Sequence, residues 1–483
     1  MPNVAFIKGR NKEWQEISDC LTAYDYHTVL WITHDYDKQL DNKCYRHGDA
    51  VLAKIPLFLK GKQLACLNKD VLIMLAQYEN ILFELVNRWC IDTRQKHNHS
   101  RDYIHKLASI WLTILKVKKI DHLIFSTTPH RTYDYVAYLV AKISGKGVVI
   151  AERTTFNGAG FFFQSIENRS KDLYRNKHNS PVLQANNVIS TYRSSYDNAK
   201  PQYLIDKENA KLGRGFLHPQ NETLNYKIRI VVDILRRLKK FDFYKEIHGW
   251  FRFNKDGSIR APRGYEFSIA NLNAIRRVEC SIDWYYKNCI KPIGGEKYIY
   301  FAPNFQHERT TCPDAGIFHD YFLLLSVLHD SIPGDWKIYI KDHPSSHSQK
   351  SINNNRSIEF YKRLLSIGKN IKLISMSEDQ FSLIDNSEMV ATATGTVALE
   401  SVSRGKPAII FGDVWFKLAP GIRYVTSQLE CKKAINELRE YTFCEIELVK
   451  YFDSVFNSLV NLNRKDSISP DKMAELILPL LYD

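Results

Sequence analysis

The chain has 483 residues and 67 Lys and Arg against 53 Asp and Glu, a formal net charge of +14. That length exceeds what one hydrophobic core usually serves and predicts two domains, while 44 % apolar and 25 % charged residues exclude a disordered or low-complexity chain. No apolar run reaches the ~18 residues of a spanning helix, and nine cysteines scattered singly from Cys20 to Cys444 show neither disulfide nor zinc spacing.

The segment MPNVAFIKGRNKEW lacks the basic start, apolar stretch and cleavage site of a signal peptide, so a cytoplasmic location is the expectation. A nucleic-acid partner is not expected, because the basic residues form no stripe with interleaved aromatics and no known module. Phosphate-bearing substrates, or peripheral contact with an anionic inner membrane, account for the same excess. The densest cluster is Arg236, Arg237, Lys239 and Lys240; its ordinary reading is a solvated helix face.

In chain order, the first half has strand-like runs at 28–33 (TVLWIT), 122–126 (HLIFS) and 147–151 (GVVIA), with a helical pattern over 133–144 between the last two, which makes a βαβ unit. Asn221 to about Lys291 reads as long basic and aromatic helices, such as 226–240, with a loop at 255–264. It is taken as an elaboration of the first lobe. Lys291-Pro292-Ile293-Gly294-Gly295 is the predicted boundary, giving domains 1–290 and 291–483. The second half has strands at 297–302, 336–341, 371–374, 389–392 and 408–411, with helices at 319–328 and 359–367. The predicted fold class is α/β, with two Rossmann-like lobes built on parallel sheets.

Three stretches of the second half carry chemistry. In MVATATGTVALESVSRGKPAIIFG (389–412), a strand runs through Thr392, Ala393, Thr394, Gly395 and Thr396 into a helix, and free N–H groups at such a terminus favour a diphosphate or nucleotide monophosphate. The ordinary reading is a helix cap. Lys341-Asp342-His343-Pro344 follows a strand, where His343 can donate to a phosphate oxygen. Pro303–Gly316 supplies Gln306, His307, Glu308, Arg309, Thr310 and Thr311 in the position of an active-site loop.

The stretch from Tyr298 to about Gly421 resembles bacterial capsule and surface-polysaccharide biosynthesis glycosyltransferases of the GT-B fold, a group that includes the β-Kdo transferases. The matching residues are Gln306, Glu308, Thr310, Thr311, Pro313 and Gly316; Tyr339, Lys341, His343 and Pro344; and Gly395, Thr396, Glu400, Gly405, Lys406, Pro407, Phe411 and Gly412, with Trp415 or Phe416 after them. The resemblance implies a GT-B enzyme with a central cleft, moving a sugar from a nucleotide-activated donor to a capsule, O-antigen or related surface glycan. It places Gln306, Arg309, Lys341, His343, Pro344, Thr394, Gly395, Thr396 and Glu400 at the donor, with Glu400 near the ribose. The His-Pro pair points to a CMP-linked acid such as Kdo. The partners implied are a nucleotide-sugar donor and a glycan or glycolipid acceptor, with no separate cofactor.

In the first lobe, His130, Asp134 and Glu152 follow strands and are the candidates, with Glu308, for the base or shielding group of glycosyl transfer. Helix capping, or ion pairing with Arg131 or Arg153, is the competing reading. No metal set emerges: the one Asp-x-Asp is Asp35–Asp37, and a P-loop is absent. A CDP-polyol phosphotransferase, a sugar-nucleotide 2-epimerase and a non-catalytic scaffold of a polysaccharide-assembly complex are the alternatives.

Overall fold

The computed structural model describes residues 1–8, 12–33, 43–92, 97–156, 158–173, 183–194, 235, 244–305, 309–343, 346, 356–462 and 469–482. The strands expected in both halves of the chain form, and with them come several that the sequence reading did not anticipate. In the first half β1 (Asn3–Ile7), β2 (His27–Thr33), β3 (Cys44–Arg46), β4 (His122–Phe125), β5 (Gly147–Arg153) and β6 (Ala159–Phe163) follow one another. A short hairpin of β7 (Arg252–Phe253) and β8 (Ile259–Arg260) lies where a loop was expected, with Arg252 and Arg260 both bonded to Glu266. The second half supplies β9 (Tyr298–Phe301), β10 (Lys337–Ile340), β11 (Ile371–Leu373), β12 (Met389–Thr392), β13 (Ala408–Ile410) and β14 (Ile422–Tyr424), and β15 (Val460–Asn461) follows.

The first sheet has the order β15-β6-β5-β4-β1-β2-β3, parallel from β5 to β3. β6 runs antiparallel to β5, pairing Ile150 with Phe163, and β15 antiparallel to β6. The N-terminal run NVAFI, four of whose five residues are buried, is therefore a central strand, and TVLWIT, read as the first strand, is the second. Parallel strands covered on both faces lose the alternation that marks half-exposed strands. One face of this sheet packs Val4, Phe6, Ile124 and Val149 against Trp14, Ile17 and Leu21 of the helix Lys12–Thr22, and against Met473 and Ile477 of the helix Pro470–Tyr482. Each such side chain contributes about 1.5–3 kcal/mol of transfer free energy.

The second sheet is wholly parallel, in the order β11-β10-β9-β12-β13-β14. Numbered within the sheet this is 3-2-1-4-5-6, the Rossmann order. Ile299, Phe301, Ile338 and Ile340 face Leu324, Leu325 and Leu328 of the helix Tyr321–His329, together with Tyr361 and Ile435 from the helices Ile358–Ser366 and Gln428–Arg439.

The chain divides into two compact units, Met1–Asn176 with Tyr244–Phe267 and Leu459–Asp483, and Lys177–Phe243 with Ser268–Ser458. A single cut at 291 differs from this in three respects, the first being that the helix Ala185–Arg193, expected in the first lobe, belongs to the second unit. The helix Gly264–Asn288 passes from the first unit to the second without a break. The C-terminal segment returns to the first unit because β15 completes its sheet edge and Ile477 and Leu481 join its core. The basic cluster at 236–240, Asp35 and Asp37 lie outside the described residues, as does the helix expected at 226–240 apart from position 235. No described helix is long and apolar enough to cross a membrane.

Candidate functional site

In an open parallel sheet, ligands bind beyond the carboxyl ends of the strands where the order reverses. In the second unit this point lies between β9 and β12, so the segments after those two strands, with that after β10, form its rim. One side chain ties them together. Asn304, just past β9, accepts at Oδ1 from the Thr394 amide (3.3 Å) and the Thr392 hydroxyl (3.3 Å). Its carbonyl accepts from the Tyr321 hydroxyl (2.9 Å) and from Arg356 Nη2 (3.2 Å).

Arg356 leads on to the end of β10, where it forms a buried ion pair with Asp342. Asp342 also accepts from the Tyr361 hydroxyl (2.6 Å), the His343 amide (2.7 Å) and Ser346 Oγ (3.3 Å). His343, half-buried, is thus held at its backbone by the carboxylate before it. A continuous chain of bonds runs from the 392–396 bend through Asn304 and Arg356 to His343. The sequence reading brought the bend and His343 together but missed Asn304, Asp342, Arg356 and Tyr361, which do the holding.

The hydroxyls of the bend are largely spent on backbone. Thr392 donates to the Ala302 carbonyl (2.9 Å) and accepts from the Gly395 amide (3.2 Å). Thr394 is buried, and its hydroxyl donates to the Thr310 carbonyl (2.5 Å). It therefore fastens the 309–316 loop, which is a different task from the phosphate donation its position suggested. Thr396 precedes the helix Val397–Ser403, and among the described residues the amides of Thr396 and Val397 make no hydrogen bond. Gly395 and Gly412 are places of close approach: a Cβ on Gly395 would lie 2.7 Å from Thr392 Oγ1, and one on Gly412 would lie 2.3 Å from Thr394 Cγ2 and 2.8 Å from Ala315 Cα.

Beside the bend two buried ionisable groups influence each other. Lys341, at the end of β10, donates from Nζ to the Glu378 carbonyl (2.7 Å). Burial lowers its pKa to about 8 against the opposing charges of Asp379, Glu378 and Glu400. Glu400, on the helix after the bend, accepts from Gln380 Nε2 (2.5 Å). Burial raises its pKa to about 7, although Gln380, Lys341, Thr396 and Arg404 all favour its anion. Two groups poised near neutrality at a strand-end crevice mark a functional candidate. Arg309 is half-exposed at the start of its loop, and Gln306, His307, Glu308 and Pro344 lie outside the described residues.

The first unit has its own reversal point, between β1 and β4. There Ser126 Oγ donates to the carbonyl of Lys8 (2.8 Å), and the Lys8 ammonium pairs with Asp134. Burial lowers the Lys8 pKa, with Asp134 opposing. Asp134 also accepts from the Arg131 amide (2.7 Å) at the start of the helix Thr132–Ile143. Glu152, 4 % exposed, is paired with Arg169 (2.8 Å), which is 0 % exposed. Its partner is neither Arg131 nor Arg153. Asp134 and Glu152 are thus committed to the fold, which weighs against the catalytic roles their positions suggested. Arg131 stacks on Trp89 with 3.6 Å to the ring centroid and donates to the Gly249 carbonyl (3.0 Å).

His130 differs from both. Its Nδ1 lies 2.8 Å from the Thr128 carbonyl, which can only accept, so Nδ1 carries the proton and the lone pair falls on Nε2. That is the tautomer a general base requires.

Comparison with known proteins bears out the resemblance over part of the chain. Residues 309–450 match the family described as capsule polysaccharide biosynthesis protein. No curated protein matches the chain. Among solved structures, the chain is similar to the UDP co-structure of MnaA from S. aureus, at 10 % identity over 100 % of this chain and 98 % of that one with a TM-score of 0.23. It is also similar to the β-Kdo 2,7 transferase KpsC of Thermosulfurimonas dismutans, at 14 % identity over 46 % of this chain and 67 % of that one, TM-score 0.24. The UDP-GlcNAc 2-epimerase of Methanocaldococcus jannaschii is similar at 13 % identity over 99 % of both chains, TM-score 0.24. Similarities this low assign no residue roles.

Proposed function

We propose that the chain is a glycosyltransferase of capsule or related surface-polysaccharide synthesis, with the donor nucleotide held at the reversal point of the second sheet. The observation that carries this reading is the bonded rim Thr392–Asn304–Arg356–Asp342–His343 beside the Lys341 and Glu400 pair. Thr392, Asp342, Arg356, Lys341 and Glu400 all belong to the segment that matches the capsule family.

In this reading His343, Arg309 and the amides of Thr396 and Val397 stabilise the negative charge that grows on the leaving phosphate. Glu400, beside Lys341, binds the ribose hydroxyls. Asn304 Nδ2, which makes no hydrogen bond among the described residues, adds a donor beside Gly395. His130 of the first unit takes the proton of the acceptor hydroxyl at Nε2. A CMP-linked acid such as Kdo is the first donor to try, and a glycan or glycolipid is the acceptor.

The test is calorimetric titration with CMP, UDP and ADP, followed by product analysis with the matching sugar nucleotides. His343→Ala should weaken nucleotide binding by tenfold or more, from the ~1.5–3 kcal/mol of a charge-assisted hydrogen bond, while leaving thermal unfolding unchanged. Unaltered affinity would falsify the assignment of His343. Conversion of the donor to its epimer without acceptor would replace transfer with 2-epimerisation.

A further inference from the structure

The segment Lys54–Lys62 (KIPLFLKGK) lies in the first unit, includes none of the site residues named above, and exposes apolar side chains. Ile55 is 47 % and Leu57 64 % exposed, while Leu59 between the lysines is wholly buried. The segment is a fixed element. The carbonyl of Lys54 accepts from the Tyr45 hydroxyl (2.6 Å), the amide of Leu59 donates to the Pro56 carbonyl (2.9 Å), that of Lys60 to Leu57 (3.0 Å) and that of Lys62 to Leu59 (3.0 Å). Leu59 anchors it, so that Ile55 and Leu57 are presented outward on a preformed turn.

Lysines from two distant parts of the chain surround this turn. Lys60 and Lys62 are exposed within it. The end of the helix His97–Val117 brings Lys116, Lys118 and Lys119, and Lys118 Nζ sits 4.4 Å from the centroid of the Phe58 ring. Lys43 is close enough to add its repulsion to the burial that lowers the Lys118 pKa. A groove of about 710 Å³, bounded among others by Ala65, Leu115, Lys116 and Lys119, continues the same face. Two nearby carboxylates are already engaged, Asp49 with Lys54 (3.2 Å) and Asp121 with Lys146 (3.4 Å). Among the described residues positive charge is therefore in excess around an apolar tip.

We propose that this face docks the protein on a lipid bilayer with anionic headgroups, Ile55 and Leu57 entering the interface while the lysines around them engage lipid phosphates. The chemistry favours a bilayer over a protein partner. Lysine is depleted in protein–protein interfaces, whereas apolar side chains ringed by lysine are the composition of surfaces that bind anionic membranes. The inference does not rest on glycosyl transfer, and it concerns a different part of the chain from the basic cluster at 236–240.

The full chain is sedimented with vesicles of phosphatidylcholine alone and of phosphatidylcholine with phosphatidylglycerol, at low and high salt. Binding is expected to the mixed vesicles only, and to fall with salt. The triple change Lys60→Glu, Lys62→Glu, Lys119→Glu should lower partitioning on the order of 100-fold, and Ile55→Ser with Leu57→Ser roughly 10-fold. All five positions are exposed, and circular dichroism melting confirms that the variants fold. Equal binding to both vesicle types, full binding by both variants, or no binding by the wild-type chain overturns the proposal. A concentration-dependent dimer abolished by Leu57→Ser also overturns it, by assigning the face to a second copy.

Discussion

Arg356 and Asp342 meet in a bidentate pair, Nε to Oδ2 at 2.7 Å and Nη2 to Oδ1 at 3.0 Å, with both side chains 2 % exposed. Removing one member of such a pair strands the other charge in the interior, at a cost of about 3–5 kcal/mol. Asp342→Ala and Arg356→Ala are each expected to lower unfolding free energy by that amount in urea titrations. A double replacement should cost less than the sum, because no unpaired charge remains. Additive losses would show that the pair is not the linchpin of the rim.

The approach of Gly412 to the 309–316 loop gives a second prediction. A methyl group there lands on Thr394 Cγ2 and on the Ala315 backbone, and overpacking of this kind costs about 1–3 kcal/mol. Gly412→Ala should lower the melting temperature and, under the proposed function, nucleotide affinity as well. Adding Thr394→Ser removes one of the three clashes, the third being with the Asp314 carbonyl oxygen at 2.9 Å, and keeps the hydroxyl that bonds Thr310, so it should recover part of both. Failure of this rescue would mean that the backbone of Asp314 and Ala315, and not Thr394, sets the limit.

How far the sequence revealed this site follows from the physics of each element. The five strands read in the second half all form, since β9 (YIYF) and β12 (MVAT) are continuous buried runs ended by polar turns. β1 escaped notice because a five-residue run near the start of the chain was weighed as an export signal and not as a strand. β14 and β15 are too short to show a period. His343 and the bend were legible from their place after strands. Arg356 was not, because it sits within the polar run NNNRS, where nothing in the composition announces a fully buried guanidinium. Glu152 was legible as an ion-pair candidate, but its partner, Arg169, comes from a segment after β6, a strand the reading did not foresee.

The first-unit candidates can be separated by the property each variant loses. Glu152→Gln leaves Arg169 charged and buried, so it should cost roughly 3–5 kcal/mol of stability. Any loss of turnover should then track the unfolded fraction. His130→Ala removes a half-buried ring that bonds the nearby Thr128 carbonyl, and it should shift the melting temperature less than Glu152→Gln does. As the proposed base, it should lower turnover by about 10²–10⁴-fold at unchanged nucleotide affinity. If Glu152→Gln instead melts like the wild type and abolishes turnover, the catalytic role belongs to Glu152.

Glu400 gives a prediction in pH. Its pKa is raised from the ordinary 4.5 to about 7, so the folded state favours the protonated carboxyl. Its stabilising contribution is complete below about pH 4.5, declines as the pH rises, and is gone above about pH 7. Lys341, lowered from 10.5 to about 8, acts in a separate window, its contribution being present above pH 10.5 and lost as the pH falls through 8. Glu400→Gln mimics the neutral carboxyl and keeps an acceptor for Gln380. Relative to the wild-type chain, this variant should therefore gain on the order of 2 kcal/mol between pH 5 and pH 8, read from urea midpoints at each pH. A constant difference across that range would mean that Glu400 ionises normally. In that case burial could not be what poises the site near neutrality.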